Sequence, residues 1–157
     1  MEHLKWENLD FSGDCADLTR PFLRLKALAE YLWLCPATGA APMEFPAQLR
    51  ALYALCGGGV IGDTDLFGLQ AGLTPSVSQM ARVYRGAAQG DVCFAASSAG
   101  DLYLIRPEGG VYRFVPDEGE ADKEWPDLAA WLGWVAMELR QRVIQGTAKP
   151  LPMKAGR

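Results

Sequence analysis

Three apolar segments in the middle of the chain constrain the fold more than any other feature. Val92–Ala96, Asp101–Arg106 and Val111–Pro116 are short, largely apolar and separated by turn residues, which is typical of β-strands. Connections this short join antiparallel strands, because parallel strands need a long crossover. Residues 102–105 are apolar at every position, so both faces of that strand must be covered. The pattern predicts an antiparallel meander whose middle strand is central and buried.

Helical spacing precedes this meander. Apolar residues recur at helical intervals from Asp17 to Leu34 and again from Pro46 to Cys56. The run Gly57–Gly59 ends the second helix and is interpreted as a C-cap that needs positive φ angles, or as a place where a partner approaches the backbone. The dipeptide Thr74-Pro75 predicts a third, shorter helix with Thr74 as its N-cap.

The clearest helix comes last. It is predicted to begin near Pro126, with Asp127 in the positive end of the helix dipole, and to end at Gly146. One apolar stripe runs along it, formed by Leu128, Trp131, Leu132, Val135, Leu139 and Val143. The order of elements predicts one α+β domain over residues 1–146, with N-terminal helices and a long C-terminal helix packed on a sheet of four or more strands. Residues 147–157 are expected to be a disordered tail.

Composition and charge exclude several classes of function. The 157 residues carry a net charge of −4, and the lysines and arginines are dispersed, which argues against a nucleic-acid partner. No apolar stretch approaches the roughly 20 residues of a membrane helix, so no membrane partner is expected. The cysteines are far apart in the sequence: Cys15, Cys35, Cys56 and Cys93. They form no C-x-x-C pair, which argues against a bound metal. This pattern predicts reduced thiols in a cytoplasmic protein.

Catalytic candidates are few. The single histidine, His3, lies close to the N-terminus, so a serine or cysteine nucleophile has no evident base, and no catalytic residue or cofactor is predicted. Asp63 and Asp65 are two residues apart and would point to one side of an extended chain. They are interpreted as a solvated loop, as a site for a cation or a basic side chain, or as the carboxylates of a small enzyme.

The strongest charge feature lies just before the last helix. Six carboxylates and one lysine between Asp117 and Asp127 give this stretch a net charge of −5. It lacks the ligand spacing of a calcium-binding loop. Two interpretations remain: a solvated connection between a strand and a helix, or a docking site for a basic protein. The docking hypothesis assigns partner binding to Asp63, Asp65, Asp117, Glu118, Glu120 and Asp122.

Several short motifs also occur in an order that is characteristic of one family. They are Phe45-Pro46, Tyr53-Ala54-Leu55-Cys56-Gly57-Gly58, Asp65-Leu66-Phe67-Gly68-Leu69, Val92-Cys93-Phe94-Ala95, Gly100-Asp101-Leu102-Tyr103-Leu104-Ile105, Gly110-Val111-Tyr112, and Leu128 with Trp131 and Leu132. From Leu18 to Leu139 the chain resembles the SUKH superfamily, bacterial immunity-type proteins related to the fungal Smi/Knr cell-wall regulators. One departure is Cys56, which stands where the family typically has asparagine.

The resemblance implies an α+β fold without enzymatic activity. It further implies a protein that binds and neutralises a cognate bacterial toxin, often a nuclease. A nuclease is basic because its substrate is polyanionic, which agrees with the acidic stretch. Two alternatives stay open at this point: a carboxylate-dependent enzyme using Asp63 and Asp65, and a regulatory scaffold that has no toxin partner.

Overall fold

The three predicted strands form the middle of one antiparallel sheet in the computed structural model, which describes residues 2–83, 90–117 and 121–151. Within these ranges the sheet has seven strands, each hydrogen-bonded to the next in sequence order. The strands are β1 (Leu32–Leu34), β2 (Gly59–Ile61), β3 (Thr64–Leu66), β4 (Val92–Ser97), β5 (Leu102–Ile105), β6 (Val111–Phe114) and β7 (Ala121–Trp125). The predicted antiparallel meander of four or more strands is confirmed.

Four α-helices occur in the described part of the chain. They are α1 (Thr19–Lys26), α2 (Ala47–Leu55), α3 (Val77–Val83) and α4 (Leu128–Ile144). The helix α4 packs on α1 and also contacts α2 and β7, whereas α3 packs against β4. Asp127 is the N-cap of α4, because its side chain accepts a hydrogen bond from the backbone N–H of Ala130 at 2.9 Å.

Trp131 is the centre of the core between α4 and the sheet. Its ring lies 4.8 Å from the ring of Phe94 on β4 and 5.2 Å from that of Tyr103 on β5, measured between centroids. The apolar stripe predicted for α4 is buried at Leu128, Trp131, Leu132, Val135 and Leu139. The prediction that this stripe faces the core is therefore confirmed.

All four residues of β5 are buried, as their composition predicts. Tyr103 faces α4, so strand alternation turns Leu102 and Leu104 to the opposite side of the sheet. The strand lies between β4 and β6, which confirms its predicted central position.

The helix predicted from Asp17 to Leu34 is wrong in its second half. A 3-10 turn over Gly13–Leu18 leads into α1, which ends at Lys26. A second turn over Ala29–Tyr31 then leads into β1, which pairs with β2. Leu32 matches the helical spacing, but it belongs to an edge strand whose pairing partner lies far ahead in the sequence.

Two other predicted elements differ at their boundaries. Ser76, not Thr74, is the N-cap of α3: its hydroxyl accepts from the N–H of Gln79 at 3.1 Å, and the Gln79 side chain accepts from the N–H of Ser76 at 2.8 Å. This reciprocal pair is a capping box. Thr74 instead donates its hydroxyl to the carbonyl of Leu66 at 2.8 Å. The acidic stretch after residue 117 is also not entirely a loop, because β7 runs through residues 121–125.

The glycine run after α2 marks a close crossing of backbones. Gly58 and Gly59 have the positive φ angles that the sequence predicts, at 88° and 143°. A Cβ on Gly58 would lie 2.7 Å from the carbonyl oxygen of Leu66 and 2.8 Å from the backbone nitrogen of Gly68. A Cβ on Gly59 would overlap the carbonyl oxygen of Trp33 in β1. The run therefore packs backbone against backbone on both sides, in addition to ending the helix.

The C-terminal segment is described as far as residue 151. Leu151 donates its backbone N–H to the carbonyl oxygen of Glu30 at 2.9 Å, and Ala148 packs against the core. The rest of the predicted disordered tail, residues 152–157, lies outside the described residues. None of the described helices has the length and apolar character needed to cross a bilayer.

The backbone crossing gives a prediction with a matched control. Gly58 and Gly100 have nearly the same φ, 88° and 91°, but a Cβ on Gly100 would meet nothing within 4 Å. Both alanine variants carry the strain of a left-handed backbone, about 1–3 kcal/mol. Gly58→Ala adds overlap with two backbone atoms that cannot move aside. We expect urea denaturation to give a clearly larger loss of unfolding free energy for Gly58→Ala; equal losses would contradict the crossing.

The thiols give a second prediction. Cys56 and Cys93 are buried, and burial raises the pKa of each thiol to about 12. Cys15 and Cys35 are only half-buried, and all four are free. In the native protein a thiol reagent should modify Cys15 and Cys35 first, since the thiolate is the reactive form. Peptide mapping after labelling measures this order, and rapid native labelling of Cys56 or Cys93 would contradict it. In denaturant all four should react.

Candidate functional site

The meander brings three connections to one end of the sheet. The register pairs Ile61 with Thr64, Ala96 with Leu102, and Phe114 with Ala121. The β2–β3 turn, the β4–β5 turn and the β6–β7 connection therefore lie side by side. We call this edge the acidic end; its described residues are 62–63, 98–101 and 115–117. At about 4.8 Å per strand, its outer connections are roughly 19 Å apart.

Asp63 occupies the β2–β3 turn and contacts α4. Its carboxylate lies 2.8 Å from a guanidinium nitrogen of Arg142 and accepts a hydrogen bond from the Ser98 hydroxyl at 3.1 Å. The turn can come this close to the helix because position 62 is glycine: a Cβ there would lie 2.9 Å from Leu139. The ion pair is largely exposed, so it orients Asp63 more than it stabilises the fold.

Asp101 directly precedes β5 at the same end of the sheet. Its carboxylate is 3.5 Å from a guanidinium nitrogen of Arg113 on β6, and its backbone N–H donates to the hydroxyl of Ser97 at 3.2 Å. Tyr103, two residues further along β5, is buried. Burial raises the pKa of its phenol. The phenol is therefore neutral at physiological pH and offers a hydroxyl and a ring face.

The acidic stretch found in the sequence forms the third connection. Asp117 is described and exposed. Glu118 and Glu120 lie outside the described residues. Asp122 lies on β7, whose backbone pairs with β6, but nothing is described of its side chain. Asp117 follows β6 at the same end of the sheet as Asp63.

Asp65 points elsewhere. It pairs with Val60 and Ala96 in the middle of β3, whereas Thr64 next to it faces α4. Strand alternation therefore turns the Asp65 side chain to the opposite side of the sheet. The residue is exposed, and partial desolvation raises the pKa of this carboxyl. The expectation that Asp63 and Asp65 point to one side is wrong, because Asp63 is in a turn and not on an extended strand.

The described histidine and cysteine side chains lie in three kinds of surroundings, at β1, in the core and at half-buried positions. His3 stacks on Trp33 with ring centroids 3.9 Å apart, at the edge strand β1 and not at the acidic end. No cluster of three histidine, cysteine or acidic side chains suited to a metal occurs within the ranges described. Burial raises the pKa of the thiols of Cys15 and Cys35 as well, so the four cysteines are protonated at neutral pH.

Four charged residues of this region were missed by sequence reasoning. Asp101 and Arg113 come together only through the β5–β6 register. Arg142 and Glu138 come from α4 and reach the region because the helix runs back along the sheet to this end. Only Asp101 carries a local signal, since it directly follows the Ser97–Gly100 turn.

Comparison with protein families places residues 39–134 within the SMI1/KNR4 family, also called SUKH-1. This match covers more than half of the chain. The chain belongs to the SMI1/KNR4 family. Comparisons with curated proteins and with solved structures gave no significant match.

The SUKH-1 match confirms the family suggested by the motifs. It begins before α2, includes β2 to β7 and ends within α4, so every residue of the acidic end lies inside it. Cys56, at the position where the family pattern suggests asparagine, is buried at the end of α2 and donates its N–H to the carbonyl of Leu52 at 2.9 Å. The turn after the helix therefore forms with cysteine at this position.

The Asp63–Arg142 contact gives a third prediction. Since both side chains are partly exposed, a double-mutant cycle of Asp63→Asn and Arg142→Gln should give a coupling energy below about 1 kcal/mol. Urea denaturation of the four proteins measures it. A coupling of several kcal/mol would mean that this pair holds α4 on the sheet and that Asp63 is structural.

Proposed function

We propose that this chain is a non-catalytic binding module that neutralises a basic toxin protein by docking it against the acidic end. The observation that carries the proposal is the convergence of three acidic connections on one edge of the sheet. Family membership supports the choice of a binding module, because immunity-type proteins are what the SUKH resemblance implies.

Charge at the acidic end supports a basic partner. The described parts of the three connections contribute Asp63, Asp101 and Asp117, and Glu118 and Glu120 follow Asp117 in the sequence. Fewer cationic side chains than carboxylates lie here, and Arg113 and Arg142 each contact a carboxylate of the acidic end. A surface of one sign attracts a partner of the opposite sign and speeds their encounter. A toxin that acts on nucleic acid is such a partner, since its own active surface must be cationic.

Stable connections favour docking over catalysis. The β2–β3 and β4–β5 turns are short and held by the hydrogen bonds of the meander, so Asp63 and Asp101 are presented on a rigid edge. The enzyme alternative needed Asp63 and Asp65 to act together, and they lie on opposite sides of the sheet. The single histidine stacks on Trp33 of β1 and the thiols are protonated, so the acidic end has neither a histidine base nor a thiolate nucleophile among its described residues. The proposal places the module in the cytoplasm, where such thiols stay reduced.

Charge reversal tests the docking surface. The partner is first isolated by co-purification from the native host. Surface plasmon resonance then compares the wild type with the double variant Asp117→Lys, Glu118→Lys at two salt concentrations. We expect the association rate to fall about tenfold or more at low salt, because steering depends on long-range charge. The difference should shrink with added salt, since the Debye length is about 8 Å at physiological ionic strength.

A matched control separates this surface from net charge. Glu108 lies in the β5–β6 turn at the opposite end of the sheet, and Glu44 is exposed before α2. The variant Glu44→Lys, Glu108→Lys changes the net charge by the same amount and should lower the rate far less. Equal effects of both variants would show a response to net charge alone. An unchanged rate in the Asp117, Glu118 variant would remove this connection from the interface.

A further inference from the structure

A cavity of about 240 Å³ opens at the acidic end between the sheet and α4. Its walls come from four parts of the fold: the β2–β3 hairpin, the β4–β5 hairpin, Arg113 on β6, and α4 from Trp134 onward. The cavity lies on the α4 side of the sheet, between the Asp63–Arg142 and Asp101–Arg113 pairs. It is smaller than the roughly 300–1,000 Å³ of typical small-molecule sites, so it suits a single side chain.

Thr64 lines this cavity and has no hydrogen-bond partner there. The residue is 8% exposed, and its hydroxyl bonds to none of the residues the structure describes. Strand alternation turns it toward α4, and it shares the cavity wall with Leu139. Among the described residues, the one fully enclosed side-chain polar atom without a partner is the indole nitrogen of Trp131, so the Thr64 hydroxyl stays accessible to solvent in the cavity. A polar group entering the cavity would replace that solvent as its hydrogen-bond partner.

The charges around the cavity favour a cationic group. Arg113 and Arg142 are each matched by one carboxylate, at 3.5 Å and 2.8 Å. Glu138 is exposed on α4 at the cavity and forms no ion pair with a described residue. The excess charge is therefore negative. The Asp101 carboxylate also keeps free lone pairs, since a carboxylate has about four acceptor sites and this contact with Arg113 is long.

Aromatic rings form one side of the cavity. Tyr103 and Trp134 both line it, with ring centroids 6.2 Å apart at an angle of 60°. Aromatic faces attract ammonium and guanidinium groups, and more strongly where water is excluded. A carboxylate, a ring face and an unpartnered hydroxyl are the groups that recognise the head of a basic side chain.

We propose that this cavity receives one arginine or lysine side chain of the protein partner as the anchor of the interface. The inference rests on the proposed function and makes it more specific. Glu138 and Asp101 face the charge, Tyr103 and Trp134 contact the stem or the guanidinium plane, and Thr64 accepts a hydrogen bond. The surrounding acidic end attracts the partner, and the cavity binds the one basic side chain of the partner that becomes buried in the interface.

Small probes test the cavity in the protein alone. Nα-acetyl-arginine amide is titrated into the full chain and followed by ¹H–¹⁵N NMR, with the citrulline analogue as the matched uncharged probe. We expect the arginine probe to shift the backbone resonances of Thr64 and Tyr103 and the indole N–H of Trp134. Citrulline has nearly the same shape without the charge and should shift none of them. Equal shifts from both probes would overturn the proposal.

Three variants locate the binding. Glu138→Gln and Thr64→Val should each weaken binding of the arginine probe about threefold, the scale of one partly exposed charge pair or hydrogen bond. Glu108→Gln, at the opposite end of the sheet, should leave it unchanged. If Glu138→Gln and Thr64→Val both leave the affinity unchanged, the cation binds elsewhere. If inorganic phosphate shifts the same resonances and the arginine probe does not, the cavity is an anion site and the proposal fails.

Failure here is distinguishable from failure of the proposed function. If the arginine probe does not bind but charge reversal at Asp117 and Glu118 still slows partner association, the anchor is overturned and docking at the acidic end stands. If the arginine probe binds as expected but charge reversal has no effect on the partner, the cavity is supported and the proposed docking surface fails.

Discussion

The backbone crossing at Gly57–Gly59 is the constraint on which the rest of the structure depends. Gly58 packs against the backbone of Leu66 and Gly68, and Gly59 packs against β1. Backbone atoms cannot rotate away as a side chain can, so any Cβ at these positions must separate the strands. The crossing ties the end of α2 to β1 on one side and to the end of β3 on the other. It thereby places the β2–β3 hairpin, and with it Asp63, against α4.

The meander then determines where charge collects. In a sheet whose strands follow sequence order, alternate connections fall on the same end. Three connections of this chain that contain carboxylates fall on one end, and the β5–β6 turn with Glu108 falls on the other. The helix α4 runs from the opposite end back to the acidic end, where it contributes Arg142 and Glu138. The core packing of Trp131 against Phe94 and Tyr103 holds that helix in register with the turns.

The sequence predicted burial correctly where a segment has a long apolar run or a long apolar stripe. The uninterrupted apolar run of β5 and the stripe of α4 both predict burial, and both are buried. It failed for β1, because Leu32–Leu34 is only three residues long and fits helical spacing equally well. Strands β2 and β3 are also only three residues long, and β2 begins within a glycine run that is typical of a turn. They pair with each other across a tight turn, but their other partners, β1 and β4, are distant in sequence and leave no local pattern.

The candidate site was predictable in part for the same reason. The charge of the stretch after Asp117 is visible in composition alone. The pairing of Asp101 with Arg113, and of Asp63 with Arg142, requires the register and the position of α4. The expectation for Asp65 failed because only Asp65 lies on the strand, whereas Asp63 lies in the turn before it. Spacing of two predicts a shared side only when both residues lie on the strand.

The central claim is that a partner docks on the acidic end. Hydrogen exchange measured by mass spectrometry, on the free chain and on its complex with the co-purified partner, tests this most directly. The account predicts slower exchange on binding in the β2–β3 turn, the β4–β5 turn and the β6–β7 connection, with no change in the β5–β6 turn at the opposite end. Protection confined to the β5–β6 turn, or to β1 and the N-terminal segment, would contradict it.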